Sequence, residues 1–221
     1  MIAIISDSHI PYQSEYGMSS LLSKLRKLSP KRILLLGDIL DCYPFMRYRK
    51  DPEKLLSVNV EIDQARKFLG NIRKIVKNGD ITYLEGNHEE RLNKFIWDHA
   101  PQLSPLEINI PTILKLEDEG IEYINNKNGI LINNIRFLHG NFVRKNPGMS
   151  ALAHMERTNT SIVIGHCHRL SLVYMNYGDT RFGMETGCLA DPSKCEYTIF
   201  PNWMLGFGII NDDNQPQIIQ L

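Results

Sequence analysis

The chain carries no excess of charge of either sign: lysine plus arginine and aspartate plus glutamate each number 25. No global basic field therefore draws it to nucleic acid, and only a local patch could do so. Cysteine is sparse. Cys42, Cys167, Cys188 and Cys195 form no C-x-x-C pair, which argues against a disulfide framework and suits reduced thiols that mostly pack. No apolar run approaches the ~18 residues that span a bilayer. The opening stretch "MIAIISDSH" lacks the charged and apolar regions of a secretory signal, so a cytoplasmic protein with no membrane partner is expected. Repeats, low-complexity tracts and Gly/Ser-rich linkers are missing as well, so no domain boundary announces itself. With 221 residues and 43% hydrophobic content, the reading is one globular domain over 1–221 with a helical insertion at about 89–119.

What is present is a series of short apolar runs that read as buried strands: "IAII" (2–5), "RILLL" (32–36), "ITYL" (81–84), "IRFL" (135–138) and "SIVI" (161–164). Leu21, Leu22, Leu25 and Leu28 recur at helical spacing between the first two. Ala65, Phe68, Leu69, Ile72, Ile75 and Val76 do so before the third. Asp51-Pro52 offers a cap and a first-turn proline, and Asn78-Gly79 a helix stop. A β-α-β-α-β order follows, which favours a parallel sheet with helical crossovers. From about residue 120 strand-like runs crowd together, with one helix near 148–157, so a mixed sheet or two packed sheets are expected there.

Each of the five apolar runs ends in residues that bind metals or move protons. Ser6-Asp7-Ser8-His9 follows the first and Gly37-Asp38-Ile39-Leu40-Asp41 the second. Glu85-Gly86-Asn87-His88-Glu89 follows the third, His139-Gly140-Asn141 the fourth, and Gly165-His166-Cys167-His168 the last. Ligand sites in open α/β sheets form beyond the carboxyl ends of strands. Five of the 7 histidines occupy such positions, and Gly37, Gly86 and Gly165 would let the backbone turn sharply under a crowded site. In an extended segment the rings of His166 and His168 would point the same way and could converge on one point. Asp, His and Asn together, without a thiolate cluster, suit first-row metals. There are more candidate ligands than one four-coordinate ion needs, so two ions sharing a carboxylate are expected, with Asp38 the natural bridge.

The set D-x-H (Asp7, His9), G-D-x-x-D (Gly37, Asp38, Asp41), G-N-H-E (Gly86 to Glu89), His139 before Gly140, and G-H-x-H (Gly165 to His168) resembles the calcineurin-like metallophosphoesterase superfamily. The resemblance spans residues 7–168 and implies an α/β (α+β) fold, a four-layer αββα sandwich of two mixed sheets flanked by helices. It implies that one ion takes Asp7, His9, Asp38 and His168 and the other Asp38, Asn87, His139 and His166. The cofactors would be two divalent ions, Mn first, with Fe, Ni, Co, Zn or Mg as alternatives. His88 would protonate the leaving oxygen or steady the phosphate, with Asp41 orienting its ring, and a metal-bridging hydroxide would attack. Arg91 and Arg169 are candidate phosphate contacts. Asn141, Glu89 and His154 are weaker candidates, and His99 and His154 read as ordinary surface or core residues. The section "ETGCLADP...NWMLGFGII" resembles the tail of small phage and prophage members, in which a loop precedes a final strand.

The implied activity is di-metal hydrolysis of phosphate esters, with the small size favouring diesters. A phosphomonoesterase or protein phosphatase is the alternative within that class, and a non-catalytic metal-stabilised scaffold the alternative outside it. The stretch "YPFMRYRK" (43–50) interleaves aromatics with cations and is the candidate entrance for a nucleotide or nucleic acid.

Overall fold

The computed structural model describes residues 1–55, 57–195 and 201–221 of the chain. The first sheet starts from β1 (Ile2–Ile5), β2 (Arg32–Leu35) and β3 (Asp80–Leu84). Helix α1 (Glu15–Leu28) joins the first pair and α2 (Val58–Ile75) the second. Both helices begin where a serine hydroxyl takes an orphan backbone N–H. Ser14 accepts from Gly17 N and Ser57 from Asn59 N. β1, β2 and β3 pair in parallel, as the β-α-β-α-β order predicts.

The chain then forms α3 (Glu90–His99), a 3-10 segment at Pro101–Leu106 and α4 (Ile110–Leu114). Leu92, Ile96, Ile110 and Leu114 pack into the same core as Leu21 and Leu25 of α1 and Phe68, Leu69 and Ile72 of α2. The segment 89–119 is therefore part of the helical layer. It returns into β4 (Ile121–Ile124), which extends the first sheet beside β3. The strand–helix–strand pattern thus runs for one more unit past residue 120 before the second sheet begins. β10 (Gly206–Ile210) and β11 (Pro216–Gln220) complete the sheet antiparallel on the far side of β1, giving the order β11-β10-β1-β2-β3-β4. "GFGII" is thus the penultimate strand, and residues 196–200 of the tail before it lie outside the described residues.

The second sheet runs β5-β6-β7-β9-β8, from β5 (Ile130–Ile132), β6 (Ile135–Leu138), β7 (Ser161–Ile164), β8 (Leu170–Tyr177) and β9 (Asp179–Thr186). α5 (Met149–Thr158) covers its outer face through Ala151 and Met155 on Leu138, Ile162 and Ile164. Alternation along the strands separates the layers. Ile5, Ile33, Leu35 and Tyr83 face the helices. Ile4, Leu34 and Leu84 face Phe137, Val163 and Met184 of the second sheet. The result is the four-layer αββα sandwich, and because its central strands are covered on both faces they read as continuous apolar runs. No helix among the described residues is long and apolar enough to cross a membrane.

Candidate metal centre

β1, β2 and β3 are parallel neighbours in one sheet, and β6 and β7 in the other. Their carboxyl ends meet at one edge of the sandwich, where all five motif loops converge. The loops are tied to one another by the backbone. Asp7 N donates to Gly37 O at 3.1 Å, His9 N to Asp38 O at 3.0 Å, and Gly165 N to His139 O at 3.0 Å. The sheets are bridged by His166 N donating to the Asp7 carboxylate at 2.9 Å and by the His139 Nδ1 contact to Leu36 O at 2.7 Å.

The backbone at this edge is strained. Asp7, His9, Asp38, His166 and His168 all have positive φ, between 46° and 65°, a region that non-glycine residues enter at a cost. The turn at His166–Cys167–His168 is therefore not extended, and its rings separate. His166 joins Asp38 and His139, while His168 joins Asp7 and His9. Gly37 and Gly140 supply sharp turns that favour glycine, at φ 91° and 104°. Gly86 serves close approach instead, since a Cβ there would press on Asp38 and on the Glu89 carboxylate.

In the first cluster His9 Nε2 and His168 Nε2 are 3.0 Å apart, and His168 Nε2 lies 3.3 Å from Asp7 Oδ1. In the second, Asp38 Oδ2 lies 3.3 Å from His139 Nε2, and Asn87 Oδ1 is 2.9 Å from the same nitrogen. Asp38 Oδ2 is also 3.9 Å from His9 Nε2 and 3.7 Å from His88 Nε2. A third group of potential ligands, His9, Asp38 and His88, thus shares atoms with the first two. Every expected ligand is brought to this one place.

These residues fit divalent cations. Asp7 and Asp38 are buried carboxylates ringed by imidazole nitrogens, and buried carboxylates need a nearby cation. The rings differ in how readily they take a proton. Burial opposes protonation of His139, but Asp38 overrides it and lifts its pKa to about 10. Burial and the neighbouring His139 push His166 down to about 4. Burial would raise the Asp38 carboxyl, yet His139 and His88 hold it well below the usual range. Hard oxygens and imidazoles at these separations suit a pair of first-row ions sharing Asp38.

Asp41 and His88 sit beside the ligands. The Asp41 carboxylate takes His9 Nδ1 at 2.9 Å and stands 3.4 Å from His88 Nδ1. Its backbone carbonyl approaches His88 Nδ1 to 2.8 Å. Asp41 thus orients the ring of His9 as well as that of His88. Burial works against a charged His88, but Asp38 and Asp41 outweigh it and raise its pKa. Arg91, one helical turn on, contacts His88 Nε2 at 2.8 Å and donates to Asp41 O at 2.9 Å. Arg169 is engaged elsewhere: its Nε donates to Asn202 Oδ1 at 3.0 Å and its Nη1 to Arg144 O.

Glu89 is the organiser that sequence reasoning ranked low. Fully buried, it accepts from Asp38 N, Leu40 N, Gly86 N and Tyr83 Oη at 2.7–3.0 Å, clamping the Asp38 loop to the Asn87–His88 loop. Asn141 and His154 pair with each other at 3.1 Å, and His154 stacks on Phe142. His99 contacts Phe95 O within its own helix. Asn202 and Trp203 were missed altogether. They line a cavity of about 300 Å³ with Asp38, Asn87, His88, Val143, His166, Cys167, His168 and Arg169. A second cavity of about 220 Å³ opens on the other side of Asn87 and His166, toward Glu90, Asn125, Asn126, Lys127 and Asn141. In the stretch 43–50, Phe45 packs on Phe95 and Tyr43 accepts from Asp51 N, while Arg47, Tyr48 and Arg49 are exposed.

The chain is similar to the Gene 54 protein of Mycobacterium phage L5, 24% identical over 238 positions that cover all of this chain and 93% of the relative. It is 23% identical to the Gene 54 protein of Mycobacterium phage D29 over the same shares of both chains. Among solved structures, Vps29 of Chaetomium thermophilum shares the fold, with a TM-score of 0.50 and 12% identity over all of this chain and 96% of the other. The profile of the calcineurin-like phosphoesterase family matches residues 1–189, most of the chain, and the protein belongs to that family.

Proposed function

We propose that this protein is a single-domain, di-metal phosphodiesterase of the cytoplasm. The observation that carries the reading is the position of Asp38 Oδ2, within 3.9 Å of imidazole nitrogens from both clusters. Asp7, His9, Asp38 and His168 would hold one ion and Asp38, Asn87, His139 and His166 the other, with manganese the first candidate. The bound pair would supply charge neutralisation at the phosphoryl oxygens and a lowered pKa for the attacking water. The chain's own residues do the rest. His88, buried beside Asp38 and raised in pKa, is placed to protonate or steady the ester oxygen that leaves. Asp41 holds its ring and that of His9 in place, and Arg91 contacts the far nitrogen of His88. Cavities on both sides of Asn87 and His166 favour a diester, because a diester needs room for two arms and a monoester for one.

The test is hydrolysis of bis(p-nitrophenyl) phosphate beside p-nitrophenyl phosphate by metal-stripped protein refilled with Mn, Ni, Co, Zn or Mg. Metal-dependent turnover that prefers the diester supports the reading. Preference for the monoester moves the assignment to a phosphomonoesterase, and silence with every metal leaves a metal-stabilised scaffold.

A further inference from the structure

The two cavities differ in chemistry. The one toward α3 and β4 is lined by the amides of Asn125, Asn126 and Asn141 and by the Glu90–Lys127 ion pair, a surface for hydroxyls and phosphate oxygens. The other has an aromatic and aliphatic outer wall, Trp203 and Val143, beside the amide of Asn202 and the guanidinium of Arg169. That combination matches a planar ring with polar edges better than a second phosphate, which would call for unshared cations.

The wall is built in advance. Half-buried, the Trp203 indole meets the His168 ring edge to face, centroids 4.2 Å apart, and packs with Tyr12 on Cys188, Ala190 and Cys195. Arg169 is 9% exposed and joins Asn202 to the Arg144 carbonyl, so one guanidinium fixes the segment before β10 against the segment before α5. A ring entering here orders few side chains, which preserves its binding energy. Trp203 therefore touches both a metal-cluster imidazole and the wall of the cavity that reaches Asp38 and His88.

We propose that this cavity seats the nucleobase of a nucleoside phosphodiester, packed on the Trp203 indole, with the phosphorus at Asp38, Asn87 and His166 and the second arm toward Asn125 and Asn141. Trp203 is a specificity-determining residue in this arrangement, and Arg169 is a positioning residue for its wall. Because ring packing is tolerant of base identity, all four bases should be accepted. The proposal rests on the phosphodiesterase reading for the position of the phosphorus.

Two ligands that differ only by the base test it: thymidine 5′-monophosphate and deoxyribose 5-phosphate. The protein carries 2 tryptophans, and Trp97 is exposed on α3 and lines neither cavity, so Trp97→Phe leaves Trp203 as the only indole reporter. In the Zn-loaded Trp97→Phe protein, thymidine monophosphate should quench the emission saturably and bind about tenfold more tightly than deoxyribose phosphate. Trp203→Phe should keep most of that preference in competitive inhibition of bis(p-nitrophenyl) phosphate hydrolysis, and Trp203→Ala should abolish it. Equal affinity for the two ligands, or no change in emission, overturns the proposal. Turnover of the diester is scored separately, so absence of hydrolysis with base-selective quenching rejects the phosphodiesterase reading and leaves the base site standing.

Discussion

Asp38 Oδ2 lies 3.3 Å from His139 Nε2, on the second sheet, and 3.9 Å from His9 Nε2, on the first. One carboxylate oxygen therefore lies among imidazoles carried by both halves of the sandwich. Asp38→Asn should lower the affinity for both ions, whereas His139→Ala should weaken only one, by about 10–100-fold or more. Metal content after dialysis, read by elemental analysis, distinguishes the two; equal loss of both ions from both variants would count against a shared ligand.

His88 contacts Asp41 O through Nδ1 and Arg91 through Nε2, and it lies beside the two clusters. His88→Asn should reduce diester turnover by about 10²–10⁴-fold with metal content unchanged. Arg91→Met, which removes a contact to His88 and none to the expected ligands, should have a smaller effect, about tenfold. Parallel measurement of kcat and bound metal checks both, and a His88 variant that loses its ions would make His88 a ligand.

Four donors converge on Glu89, three of them backbone N–H groups. A glutamine there offers one acceptor oxygen and turns its NH₂ against those amides. Glu89→Gln should therefore cost about 3 kcal/mol and lower Tm by about 6–12 °C. Calorimetry on the metal-free protein isolates this from any effect on ion binding, and an unchanged Tm would contradict the clamp.

Glu61 is 4% exposed and accepts from Cys42 N at 2.6 Å. Burial lifts its pKa from 4.5 to about 8. Between those values the folded state keeps a proton that the unfolded chain has lost, so stability falls as pH rises through this window. Glu61→Gln resembles the protonated form at every pH. It should match the parent near pH ~5 and exceed it by on the order of 3 kcal/mol near pH ~8. Denaturant titrations at the two pH values decide it, and a gain equal at both would show that Glu61 does not titrate in this range.

The strands, the crossover helices and the residues gathered at the sheet edge were legible in the sequence because each rests on a local signal. After their first residues Arg32 and Ser161, "RILLL" and "SIVI" are as apolar as "IAII", because these strands are buried on both faces. Asp7, Asp38, Asn87, His139 and His166 stand just beyond strand ends, where chain direction alone puts them at one edge. The order of blocks from Asp7 to His168 identified the family.

Strand partnership and side-chain assignment were decided only by tertiary structure. That β4 joins β3 and β10 joins β1 depends on free sheet edges far away in the chain, to which no local pattern refers. The positive φ of His166 and His168 sends their rings to different clusters, a strain held by surrounding contacts rather than by residue type. Glu89 showed its role only once Asp38, Leu40, Tyr83 and Gly86 were brought around it. Trp203, after a stretch without periodic signal, became part of the site when β10 carried it beside His168. Sequence by itself determined which chemistry the chain can hold, because side-chain donors and apolar periodicity are local properties; tertiary structure decided which residues share it, because contact between distant segments is set by packing.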